Sequence, residues 1–167
     1  MYGTINRPFF LTIGVVFIAC AASQDLISPG ASAPSFSLES DTGDTLSLEE
    51  LHADGYLVIV FYPGNNTPVC TRQLCELRDS YEELLSHNAQ VVGVNNDSRE
   101  AHAEFRRENN YPFPLLRDTD NRVAHAYGTA RRRGVRRSVV VIDGEGTVVY
   151  AWPGRPSVEE ILGKITG

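Results

Sequence analysis

The order of periodic segments predicts an α/β protein, a central mixed β-sheet flanked by α-helices and preceded by an N-terminal β-hairpin. Three observations carry this. The run Tyr56 to Tyr62, YLVIVFY, is apolar without alternation, which suits a strand covered on both faces. A helical segment and a second apolar strand follow it, the order that produces parallel pairing through a crossover. Late in the chain, two strands flank the turn Asp143-Gly144-Glu145-Gly146, which makes an antiparallel hairpin.

The remaining elements follow in order. Ser35 to Leu38 and Thr45 to Leu48 alternate around the turn Asp41-Thr42-Gly43-Asp44, a small hairpin. Cys70 to Ser86 carries Leu74, Leu77, Tyr81, Leu84 and Leu85 at helical spacing. Gln90 to Val94 reads as the second buried strand, Ser98 to Asn109 as a helix capped by Ser98, and Pro114 to Leu116 as a short extended piece. Asn121 to Tyr127 suits a short helix, Ser138 to Ile142 and Thr147 to Trp152 the two late strands, and Ser157 to Ile165 a closing helix.

A chain of 167 residues with 42% hydrophobic content and no internal repeat suits one globular domain. The first 24 residues differ: Arg7 precedes the apolar run Phe9 to Ala22, after which Ser23, Gln24 and Asp25 return to polar character. This is the pattern of a secretory leader, too short for a spanning helix and ending in small residues suited to signal peptidase. Ile18-Ala19-Cys20 also resembles the end of a lipobox, so a lipid anchor at Cys20 and a removed leader both fit. The expected organisation is a leader over 1–24, a tether or lead-in strand over 25–34, and the domain over 35–167. On this reading the domain works outside the cytoplasm, as a periplasmic, extracellular or lipid-anchored protein.

With 15 basic and 21 acidic residues the net charge is −6, which disfavours nucleic acid as a partner. The one basic cluster, Arg131, Arg132, Arg133, Arg136 and Arg137, reads mostly as a solvated loop. Arg137 stands apart because it begins a strand and can point inward. His52, His87, His102 and His125 are scattered without ligand spacing, so each is expected at a surface or capping position and no metal site is expected.

The chemistry concentrates in Phe61 to Asp79, FYPGNNTPVCTRQLCELRD. Thr67 is a good N-cap residue, Pro68 fits the first helical position, and Cys70 then falls in the first turn. The unpaired N–H groups and the positive end of the helix dipole there favour a thiolate over a thiol. Cys75 lies five residues on, which is neither Cys-x-x-Cys nor a zinc spacing. A structural disulfide is one option. In an intact helix, however, the two positions are about 7.5 Å apart along the axis and about 140° apart around it, so a bond requires unwinding. That suits a catalytic pair better than a staple.

Pro63-x-x-x-Thr67-x-x-Cys70 resembles the peroxiredoxin active-site signature, and Cys70-Thr71-Arg72-Gln73-Leu74-Cys75-Glu76-Leu77-Arg78-Asp79 resembles its peroxiredoxin Q, or bacterioferritin comigratory protein, branch. Pro112 to Asp118, Val123 to Gly128 and Arg137 to Asp143 extend the similarity over most of residues 29 to 165. Val69 departs from it, where relatives often carry glycine. The resemblance implies a thioredoxin-like fold and reduction of hydrogen peroxide and organic hydroperoxides without metal, haem or flavin. It implies Cys70 as peroxidatic nucleophile and Cys75 as its resolving partner in an intramolecular disulfide. Thr67 would hydrogen-bond the peroxide or the thiolate, Arg137 would stabilise the developing charge, and Pro63 would shield the sulfur. A thioredoxin-type dithiol protein would reopen the disulfide, and a monomer is expected. Tyr62 and Trp152 are near enough in sequence pattern to line the pocket, although core packing is the better reading of both. The alternatives are a thioredoxin-like thiol–disulfide exchanger of exported proteins, which would leave Thr67 and Arg137 idle, and a redox sensor.

Overall fold

The computed structural model describes residues 25–132 and 134–167; the expected leader with Cys20, and Arg133, lie outside them. Strands β1 (Ser37–Ser40) and β2 (Thr45–Ser47) form the leading hairpin, and β3 (Tyr56–Phe61), β4 (Ala89–Asn95) and β5 (Leu115–Arg117) run parallel. Strands β6 (Ser138–Ile142) and β7 (Val148–Pro153) add the antiparallel hairpin, β6 pairing with β3. Across the described sheet the order is β2-β1-β5-β4-β3-β6-β7. The helices are α1 (Leu48–His52), α2 (Pro68–Asp79), α3 (Tyr81–Ser86), α4 (Arg99–Asn109), α5 (Arg122–Ala126) and α6 (Val158–Ile165). None of these is long and apolar enough to cross a membrane.

The unbroken apolar run of β3 is explained by two apolar layers. Leu57, Ile59 and Phe61 face a cluster built with Leu48 and Leu51 of α1, Val123 and Ala124 of α5, and Tyr127. Val58, Val60 and the following Tyr62 face the other cluster, with Leu74 and Leu77 of α2, Leu84 of α3, Phe105 of α4 and Ile161 of α6. The period of two sends alternate residues to opposite helical layers, so every position must be apolar. A fully buried aliphatic or aromatic side chain contributes about 1.5–3 kcal/mol, whereas an ion pair as exposed as Arg122–Asp120 (85% and 61%) contributes about 0–1 kcal/mol. The apolar layers therefore hold the frame of the site.

Three local expectations change. Thr45 to Leu48 does not run on as a strand, because Ser47 caps α1 with a complete capping box: its side chain accepts from Glu50 N–H while Glu50 reaches back to Ser47 N–H. The single helix expected over Cys70 to Ser86 divides at Ser80, whose ψ of 13° leaves the helical region although hydrogen bonds still bridge it from Ser80 N–H to Glu76 and from Leu84 N–H to Ser80. The offset lets Tyr81 tilt against Phe113, with ring centroids 5.7 Å apart. Finally, residues 25–34, read as a tether or lead-in strand, form no regular strand but are bonded to the body of the domain. Ile27 N–H donates to Tyr127, Gly30 N–H to Val148 and Ala33 N–H to Gly146, and Ser32 bridges Thr147.

A buried ion pair ties the leading hairpin to the body. The Asp41 carboxylate, with its side chain only 5% exposed, accepts from Arg106 Nη1 at 2.9 Å and from Leu115 N–H at 3.0 Å, and Arg106 Nε donates to the Tyr111 carbonyl at 3.0 Å. Removing one partner of a buried pair strands the other, a loss of about 3–5 kcal/mol. Arg106 keeps 27% exposure and can partly rehydrate, so Asp41→Ala should cost about 3 kcal/mol, at the low end of that range. Urea unfolding checks this; a loss below about 1 kcal/mol would mean that the pair is a surface contact in energetic terms.

Candidate active site

Interior strand β3 ends at Phe61 and the chain turns through Pro63 to Thr67 into α2, delivering Cys70 to the inner face of the first helical turn. Pro68 occupies the start of the helix, as its missing N–H allows, and Thr67 sits at the N-cap with extended backbone (φ −90, ψ 138). The expected capping bond from the Thr67 hydroxyl is absent. Asn66 adopts the left-handed conformation (φ 55) just before it, and the Thr67 side chain stands exposed, facing solvent rather than the helix N–H groups. Its hydroxyl is thereby available to a ligand.

Cys70 is 1% exposed, packed against the layer that contains Val60, Tyr62 and Leu74. Arg137, the residue before β6, crosses to it: Nη2 donates to Cys70 Sγ at 3.0 Å and Nη1 to Gln73 Oε1 at 2.8 Å. The antiparallel register of β3 with β6 makes this possible, since Phe61 pairs with Ser138 and so puts the residue before β6 beside the start of the loop that leads into α2. Cys70 and Arg137 are 67 positions apart in the chain. Gln73 is a candidate site residue that sequence reasoning missed. It is 3% exposed and its Nε2 has no partner among the described residues, so it presents both an acceptor that aims the guanidinium and a free buried donor. The available signal was a polar residue three positions after Cys70, on the face that also carries Leu74 and Leu77.

Cys75 lies in the same helix and both thiols are free. The intact helix is the geometry in which the two positions diverge. Pro63 is exposed at the strand end. Tyr62 is wholly buried, as core packing requires, but Trp152 is 50% exposed and stacks on Tyr150 at 6.5 Å. The core reading of Trp152 is corrected: it lies near the end of β7, an edge strand, on the same face as Tyr150 but half exposed.

A polar network lies beneath the loop. Asn65 N–H donates to Asp97 Oδ2 at 2.7 Å, Tyr62 Oη donates to Asn65 Oδ1 at 2.9 Å, and Asn95 Nδ2 donates to the same oxygen at 3.2 Å. Asn65 Nδ2 stands 3.2 Å from His102 Nδ1, which accepts when the proton is on Nε2. His102 is wholly buried, not at the surface or cap expected of it, because Ser98 starts α4 so that His102 and Phe105 share its inner face. Burial pushes the His102 pKa below the usual imidazole value, against the opposing pull of Asp97 and Asp41. Burial also raises the Tyr62 phenol well above its ordinary value, reinforced by Asp97. Among the described residues no group of three His, Cys, Asp or Glu side chains is arranged to hold a metal ion.

A buried cysteine in the first turn of a helix, after an interior strand and under an arginine, defines a thiol-based redox protein. Known proteins narrow the class. The profile of the AhpC/TSA family matches residues 29–151. The chain is 35% identical over 150 residues to a protein named putative peroxiredoxin bcp from Coxiella burnetii, covering 83% of this chain and 99% of that one. It is 35% identical over 134 residues to peroxiredoxin Bcp of Bacillus subtilis, covering 75% and 85%. Among solved structures, peroxidoxin BcpB from Mycobacterium tuberculosis superposes with a TM-score of 0.79 at 29% identity, over 82% of this chain and 95% of that one. The Xylella fastidiosa PrxQ C47S mutant gives 0.78 at 25% identity, over 84% and 96%. The chain belongs to the AhpC/TSA family, in its Bcp/peroxiredoxin Q branch. It is a thiol-dependent peroxidase on a thioredoxin-like fold.

Proposed function

We propose that this peroxidase works as an atypical two-cysteine enzyme, with Cys70 as peroxidatic and Cys75 as resolving residue. The observation that carries the proposal is Arg137 Nη2 at 3.0 Å from Cys70 Sγ. A guanidinium fixed there stabilises the thiolate and then the charge that develops on the departing oxygen. The thiolate attacks the terminal oxygen of hydrogen peroxide or an organic hydroperoxide. The O–O bond breaks, sulfur retains the terminal hydroxyl as a sulfenic acid, and the other oxygen leaves as water or alcohol after taking a proton. Thr67, with an uncommitted hydroxyl, serves to hold the peroxide, and Pro63 borders the approach. The sulfur of Cys75 then displaces the sulfenic hydroxyl, which departs with the thiol proton as water, leaving the Cys70–Cys75 disulfide. A thioredoxin-type dithiol donor reopens it by exchange. Action outside the cytoplasm remains part of this reading and rests on the sequence of residues 1–24.

The test is a single turnover. The reduced protein mixed with one equivalent of peroxide should lose two hydrogens in mass, and peptide mapping should find the bridge between Cys70 and Cys75. A stable one-oxygen adduct with both cysteines unbridged would sink the two-cysteine assignment.

A further inference from the structure

Tyr111 is a buried phenol that the mechanism above does not use. It is 3% exposed, edge-on to Phe105 at 5.2 Å and stacked on Phe113 at 5.5 Å. Its hydroxyl has one polar partner among the described residues, Cys75 Sγ at 3.9 Å. A buried hydroxyl without a partner is unfavourable, so the tyrosine and the thiol each depend on the other staying in place.

The two sides of this contact differ in rigidity. Tyr111 stands on a fixed post. Asn110 ends α4 in the left-handed conformation, Tyr111 N–H returns to the Arg106 carbonyl, and Arg106 Nε holds the Tyr111 carbonyl while its guanidinium is locked by buried Asp41. Cys75 lies on α2, part of which must unwind before its sulfur can reach Cys70. Cys70 is 1% exposed and held by Arg137, whereas Cys75 is only half-buried. Arg78 Nη1 bonds the Asn109 carbonyl at 2.7 Å and fixes the end of the helix beyond it. That leaves the Tyr111 hydroxyl as the polar restraint on Cys75 itself.

We propose that Tyr111 is a positioning residue that latches Cys75 in the docked helix and sets how long the Cys70 sulfenic acid persists before the disulfide forms. The proposal rests on the reading of Cys75 as the resolving thiol. Its consequence is a competition. While Cys75 is docked, a second peroxide can meet the sulfenic acid, and the sulfur takes a further oxygen to become sulfinic acid as the peroxide leaves as water or alcohol. The latch therefore tunes sensitivity to inactivation by excess peroxide.

Tyr111→Phe removes the hydroxyl and keeps the ring stacking. In rapid-quench mass spectrometry, the rate of Cys70 oxidation should match wild type, while the sulfenic-to-disulfide step should be about two- to threefold faster, the effect of one weak sulfur–hydroxyl hydrogen bond. Because the partition is set by resolution against a second peroxide, the peroxide concentration for half-inactivation should rise by the same factor of about two to three. In native-state hydrogen exchange, the reduced variant should show faster exchange at residues 72–77 with unchanged exchange in β3, which general loss of stability would not produce. A disulfide step equal to or slower than wild type in Tyr111→Phe, with the bridge still forming, overturns the latch alone. A wild-type protein that forms no Cys70–Cys75 bridge overturns the two-cysteine reading and the latch together.

Discussion

Serine at position 70 should leave a folded protein that consumes no peroxide, whereas serine at position 75 should leave one that is oxidised once and then stalls. The first outcome follows from nucleophilicity. A serine hydroxyl has no accessible anion near neutral pH and no adjacent base to create one, whereas a thiolate is available to cysteine. The substitution is nearly isosteric at a site 1% exposed, and the hydroxyl oxygen still accepts from Arg137 Nη2, so stability should change little. The second outcome follows from separation of the steps. Cys75 touches Tyr111 rather than Arg137, so its replacement leaves the Arg137–Cys70 contact in place. Peroxide consumption with a thioredoxin-type donor should therefore vanish in both variants. A sulfenic-acid probe should label Cys75→Ser strongly and Cys70→Ser not at all. Peroxide turnover persisting in Cys70→Ser would remove the peroxidase site from this cysteine, and full turnover in Cys75→Ser would show that another thiol resolves it.

The paired behaviour depends on features of very different legibility. β3 and its cysteine helix were legible because their signals are local: seven consecutive apolar residues, then a proline at a helix start. The β6–β7 hairpin announced itself through its glycine turn. α1 was equally local, a Ser47-x-x-Glu50 capping box, but the alternation from Thr45 to Leu48 masked it. The division at Ser80 has no proline or glycine to mark it. Arg137 was reachable from sequence because it stands at the edge of an apolar strand, immediately before β6 in the structure. Gln73, His102 and Tyr111 were not. Each is polar or titratable on a helical or loop stretch whose period predicts burial of apolar neighbours, and its role comes from a partner 64, 37 and 36 positions away respectively. No local pattern encodes such a partner.

Replacing Arg137 by methionine should lower the second-order rate of Cys70 oxidation by about a hundred- to a thousandfold, the usual effect of removing one preorganised donor from a developing oxyanion. Methionine preserves the length and apolar stem, so the loss isolates the charge. Arg137→Lys should recover only part of it. A guanidinium presents two parallel donors, one spent on Cys70 Sγ at 3.0 Å and one on Gln73 Oε1 at 2.8 Å, while a single ammonium cannot span both in that fixed fork. The lysine variant also leaves either Gln73 Oε1 or the sulfur without its partner in a buried place, a desolvation cost beyond the lost attraction. Gln73 thus acts as the strut that decides which nitrogen meets the sulfur. Stopped-flow oxidation of the reduced proteins, with circular dichroism to confirm that both variants fold, measures the effect. A methionine variant within about threefold of wild type would show that the arginine packs against the thiol without stabilising its reaction.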